Sequence, residues 1–156
     1  MPIAAIRPDE VNLPLLLHVL GALVLVGGLF AAVTLLLASR AAGGETANML
    51  TRLSFRTLLL GVLPAYIVMR VGAQWVASEE NIPEDAGLAW IDIGYIVGDL
   101  GAVLTIIALI VGGIASRRAG QGGEPPRKLA LAMGILASVV LVGSLVAIWA
   151  MTTKPT

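Results

Sequence analysis

The sequence contains no cysteine and one histidine, and only 13% of its 156 residues are charged. Without cysteine there can be no disulfide, thiolate metal site or cysteine nucleophile. A single imidazole, His18, leaves little room for zinc or haem chemistry. Formal net charge is zero and aromatics make up 4% of the chain. No basic cluster with interleaved aromatics is present, which argues against nucleic-acid binding. No soluble-domain-sized polar segment is present either.

Apolar residues are plentiful instead. Hydrophobic types reach 58% and mean hydropathy is +0.93, more than a soluble domain of this length can cover with polar surface. Four apolar runs stand out: about Leu13 to Ser39, Thr51 to Ala77, Gly87 to Ser116 and Leu129 to Thr152. Each matches the ~20 residues that cross a bilayer core. Lipid offers the backbone no hydrogen bonds, so the runs are expected to be helices. The expected fold is all-α: one integral membrane four-helix bundle spanning the lipid bilayer. The first run is too long, and its leading "IRPDEVN" too poor in positive charge, to read as a cleaved signal peptide.

The connectors set a direction. "RAAGGETANML" and "RRAGQGGEPPRK", with their flanks, carry Arg40, Arg52, Arg56, Arg117, Arg118, Arg127 and Lys128. "SEENIPEDAG" carries only acids. Positive loops stay in the cytoplasm, so the middle loop and both termini are expected outside. Trp75, Trp90 and Trp149 fall at the outer ends of their spans, where indoles favour the interface. Arg56, near the inner edge, can snorkel and is given no role.

Small residues recur at packing spacing: Gly94, Gly98 and Ala102; Ala130, Gly134 and Ser138; Gly21 and Gly28. Such stripes let helix backbones approach closely in lipid and need no functional explanation. Pro64 is expected to kink the second helix or loosen the turn before it.

The candidate site is polar. Asp92 and Asp99 lie seven residues apart on one face of the third span, with Tyr95 on the same stripe and the Gly94/Gly98 seam pointing away. Tyr66, Arg70 and Gln74 share a face of the second span. At ~1.5 Å per residue, Asp92, His18, Arg70 and Asp99 lie roughly 7, 8, 11 and 17 Å below the outer edge. An unpaired Asp or Arg at a helix centre costs about 2.5 to 3.5 kcal/mol on insertion scales, so a buried salt bridge from Arg70 to the acids is expected. Two carboxylates and one guanidinium leave one negative charge. A proton on His18 or an aspartate, a cation, or a water-filled cavity would balance it. The plainer reading is that Arg70 and Asp92 lock two helices together and that His18 is a satisfied helix contact. Asp99, near mid-membrane, points more strongly to function.

The stretch "LHVLGALVLVGGLFAA", with His18, Gly21, Gly27 and Gly28, resembles the first helix of small four-helix bacterial integral membrane proteins of unknown function. More distantly it resembles copper-resistance D (CopD)-like domains. "RVGAQWVASEE" and "WIDIGYIVGDLG" resemble stretches of the same group. The resemblance implies a multi-pass protein of the bacterial plasma membrane. Several histidines bind copper or haem in the CopD-like relatives, and here only His18 matches. A bis-histidine haem would need His18 from two copies, or a Met partner such as Met69.

Three functions remain in view. The first is a non-catalytic membrane subunit or partner protein, in a homodimer or a larger complex. The second is a proton, cation or small-solute pathway through His18, Tyr66, Arg70, Asp92, Tyr95 and Asp99. The third is haem, copper or quinone binding. No catalytic spacing is present, and the cofactor is left open. An enzyme on lipid-borne substrates is a weaker fourth reading.

Overall fold

The computed structural model describes residues 9–81 and 88–153, so most of the acidic middle loop lies outside the described residues. Four helices are long and apolar enough to cross a membrane: α1 (Asp9–Ala41), α2 (Gly44–Glu79), α3 (Ala89–Gly120) and α4 (Arg127–Thr153). Among the described residues there is no strand. The helices overrun the apolar runs by a few residues at almost every end. A helix does not stop where hydropathy does; it stops where the backbone finds a cap. At the end of α2, Asn81 takes a left-handed φ of 50°, a conformation asparagine tolerates at helix ends.

The largest departure from the sequence reading is the first connector. Most of "RAAGGETANML" is helical, and only the Ala42–Gly43 region breaks the chain. The segment Gly44–Thr57 is amphipathic. Its buried side presents Ala47, Asn48, Thr51 and Ser54 to the bundle, while Glu45 sits in its first turn and favours the helix dipole there.

Pro64 acts as expected. The turn Leu58–Val62 is a π-turn, and the Leu63 N–H bonds to the Leu58 carbonyl five residues back. Proline cannot donate and crowds the carbonyl four residues before it, so the preceding turn widens.

The helices pack in sequential antiparallel order, α1 along α2 and α3 along α4, with α1 also against α4. The first part of α2 meets α3, but its last part, Leu63–Glu79, barely touches α3. The bundle is thus closed at its basic end and splayed between α2 and α3 at its acidic end. The core of the basic-end half is tightly packed. Leu25, Leu29, Leu58, Val62 and Met133 are all under 2% exposed. Leu36 and Ala137 join the same cluster. Ser54 donates from α2 to the Ala32 carbonyl of α1 at 2.9 Å, and Asn48 donates to the Gly123 carbonyl of the α3–α4 loop at 3.2 Å.

Glycine governs the α1–α2 contact. A Cβ on Gly21 would lie 2.5 Å from the Met69 nitrogen, and one on Gly72 would lie 2.6 Å from the His18 nitrogen. Backbone meets backbone at both points, which any side chain would prevent. The small-residue stripe expected in α4 is displaced. Ala130 is buried, but Gly134 and Ser138 are only half-buried, and the inward stripe runs through Met133, Ala137, Val140 and Ser144.

Candidate functional site

The polar residues of α2 and α3 meet where the two helices begin to splay. Arg70 lies nine residues before the end of α2 and Asp99 ten residues after the start of α3. At ~1.5 Å per residue the two sit roughly 14 and 15 Å along their helices. They share a level, and the Arg70 Nη2 meets the Asp99 Oδ1. The guanidinium carbon also lies 5.4 Å from the centroid of the Tyr95 ring, within cation–π range.

Gly98 gives the guanidinium room to lie against α3. A Cβ there would lie 2.6 Å from the Arg70 Nη1. The guanidinium therefore crosses α3 over a glycine and reaches round to the next residue, Asp99. The Tyr66 hydroxyl donates to the Gly98 carbonyl. Gly98 thus faces α2's polar residues, while it points away from the aspartates of the stripe: Gly98 is buried and Asp92 and Asp99 are exposed. The helical wheel separates Gly98 from Asp99 by about 100°, but a long arginine spans that arc.

A correction concerns burial. The salt bridge is not enclosed by the bundle. Arg70's side chain is 27% exposed and Asp99's 70%. Asp92 is also exposed, and among the described residues it has no ion-pair partner. Arg70 therefore stands beside Asp99 and not between the two acids. A period-seven pair falls on one helix face, and here that face is the outward one.

That face has a regular pattern. Asp92, Ile96, Asp99, Val103, Ile106 and Ile110 are all exposed, at alternating spacings of four and three. This is the spacing of a coiled-coil seam. Its upper part carries the two carboxylates and its lower part only β-branched aliphatics. Sequence reading found the acids but not the seam, because the same residues read equally well as lipid-facing filler.

His18 belongs to a different contact. Its Nδ1 lies 3.0 Å from the Met69 carbonyl. A carbonyl only accepts, so Nδ1 carries the hydrogen and the imidazole ties α1 to α2. Among the described residues no group of three His, Asp or Glu side chains converges to hold a metal ion.

Between the splayed parts of α2 and α3 lies a partly open cleft of about 300 Å³. His18, Tyr66, Arg70, Gln74, Glu80, Tyr95 and Ser144 line it, together with apolar groups from all four helices; neither Asp92 nor Asp99 does. The predicted six-residue site is therefore two places. The cleft holds His18, Tyr66, Arg70 and Tyr95, and the outward seam holds Asp92 and Asp99. Arg70 joins them.

No family model, no curated protein and no solved structure matches the chain.

Proposed function

We propose that the chain is a non-catalytic subunit or partner protein of a membrane complex, docking a helix of another protein along the α3 seam. The observation that carries this reading is the Asp99 carboxylate, 70% exposed near mid-membrane on a face that is aliphatic apart from the two aspartates. A carboxylate facing hydrocarbon costs several kcal/mol unless protein or water covers it. Arg70 supplies one partner from one side only. A docked helix would cover the other side.

The charges also describe the partner. Arg70 against Asp92 and Asp99 leaves one negative charge on the seam. A symmetric homodimer across this seam would set like acids against each other, since a two-fold interface brings the same patch from both copies. A different helix bearing Lys or Arg at this depth fits better. The topology that goes with this reading is the positive-inside one, with both termini outside a bacterial plasma membrane, in keeping with the resemblance of α1 to small bacterial membrane proteins. The proton, cation or solute pathway draws on the same acids, and would likewise need a second chain to enclose them.

A photo-crosslinker at Ile96 or Val103 tests the reading in native membranes. It should give one discrete adduct, retained in Asp99→Glu and reduced about tenfold in Asp99→Leu. The same probe at Val142, exposed on α4, should not give that adduct. Lipid adducts alone at Ile96, with a clean monomer in mild detergent, would remove the docking reading.

A further inference from the structure

The cleft meets the docking seam only through Arg70, and its chemistry points to a small ligand. We infer that it is a binding site for a neutral lipophilic molecule with an apolar tail and a head that accepts hydrogen bonds, such as an ester or a quinone carbonyl. Three features carry this. The volume, about 300 Å³, is that of a small-molecule site. Most of the wall is aliphatic, from Leu25, Met69, Val97 and Val140 among others. Polar groups enter the wall from α2 and α3, where Arg70, Gln74 and Tyr95 line the cleft and Arg70 lies over the Tyr95 ring.

The charge count selects the head. Among the described residues Arg70 is the one Arg or Lys lining the cleft and Glu80 the one carboxylate, and the charge of Arg70 is already met by Asp99 on the seam side. A second anion would compete with that carboxylate. A neutral acceptor would not: a guanidinium has five N–H donors in a fixed fork, and Asp99 takes up one nitrogen. His18, with Nδ1 committed to the Met69 carbonyl, keeps Nε2 for a hydroxyl or for water. The flat guanidinium stacked near Tyr95 also gives a planar head a surface to lie on.

The splay between α2 and α3 gives such a molecule a way in. Neither helix end needs to open, because a lipophilic ligand already resides in the membrane. On the other side the cleft ends against the packed half, where Leu29, Leu58 and Met133 are fully buried. The site is therefore a blind recess and not a passage.

Tryptophan fluorescence tests this on the full chain in lipid nanodiscs. Trp75→Phe with Trp149→Phe leaves Trp90, a cleft-lining residue, as the only indole. Methyl dibromostearate, a neutral ester with a heavy-atom quencher in its tail, is the probe. Quenching should saturate. Ala147→Phe, which fills the cleft from α4, should abolish saturation, and Val142→Phe, on the outer face of α4, should leave it unchanged. Arg70→Gln should raise the half-saturating concentration about tenfold. Decylubiquinone and dioleoylglycerol separate the two natural sources: displacement by either supports the site and says whether a quinone or a lipid ester is favoured. Quenching that rises linearly with probe and is indifferent to Ala147→Phe would mean simple partitioning and would overturn the proposal. So would the free dibromostearate anion saturating at a tenfold lower concentration than its ester.

Discussion

At the basic end of the bundle, Met133, Leu58 and Leu29 interlock with almost no exposure, and α2 and α3 run in contact. At the acidic end the same two helices part, and what joins them is Arg70 laid over Gly98, with Tyr66 bonded to the Gly98 carbonyl. The π-turn at Leu58–Val62 marks the change. The difference shows two ways of keeping helices together in lipid. Where side chains interdigitate, dispersion contacts suffice and no polar group is needed. Where the helices separate, a few long polar side chains hold the gap at a fixed width and leave a recess between them. The interlocked core around Met133 leaves no recess between its side chains, whereas the splayed region does.

The strongest way to break the comparison is to attack the packed half. Met133 is fully buried and touches the face of α3 at Gly112, where a Cβ would lie 2.5 Å from its sulfur. Met133→Ala should lower stability by about 3 kcal/mol, read from the midpoint and slope of unfolding in mixed micelles. Met69→Ala, beside the cleft and only partly buried, should cost less than half of that, since a cavity already adjoins it. Equal losses would mean that the two halves are packed alike.

Overfilling comes next. Gly21→Val places a side chain against the Met69 backbone and should cost about 2 to 3 kcal/mol. Gly27 has nothing within 4 Å of an added Cβ. Gly27→Val should therefore be close to neutral, and a matched loss at both positions would discard the close-approach account of α1 and α2.

The third experiment addresses the polar half. Arg70→Gln and Asp99→Asn should each destabilise by about 1 to 2 kcal/mol, and the double variant should lose less than their sum by ~0.5 kcal/mol or more. Strict additivity would show that the two side chains do not help each other and that the gap is held by something else.

These contrasts also explain what the sequence could and could not tell. The four spans were legible because bilayer thickness imposes a length and composition that few other constraints mimic. The amphipathic start of α2 was not, because its polar residues look like those of a loop. Thr51, Ser54 and Asn48 become core residues only when small neighbours let α1 and α3 close over them. That Arg70 would meet an acid of α3 was legible from approximate depth, but the depths set it nearer Asp92 than Asp99, and the choice of Asp99 comes from the helix bounds and the packing at Gly98. Which way the acids face was not legible. A helical wheel gives relative angles within one helix, and the direction of the bundle axis comes only from the packing of Gly98, Gly101 and Ala108 against their neighbours.

The smallest expected effect is the most informative about the polar half. Tyr66→Phe removes the hydroxyl bonded to the Gly98 carbonyl, and Ser54→Ala removes the one bonded to the Ala32 carbonyl. Both acceptors lie within helices and keep their own backbone partners. Each loss should therefore be near the ~0.6 kcal/mol average for hydrogen bonds between membrane helices. Around Ser54 the surrounding packing remains and should hold α1 and α2 at the same separation. Around Tyr66 little else spans the gap. The two variants should thus differ less in stability than in geometry: spin labels on the outer ends of α2 and α3 should move apart in Tyr66→Phe, while labels on α1 and α2 should stay in place in Ser54→Ala. If both pairs of labels keep their distances, Arg70 alone sets the width of the cleft, and the tyrosine only lines it.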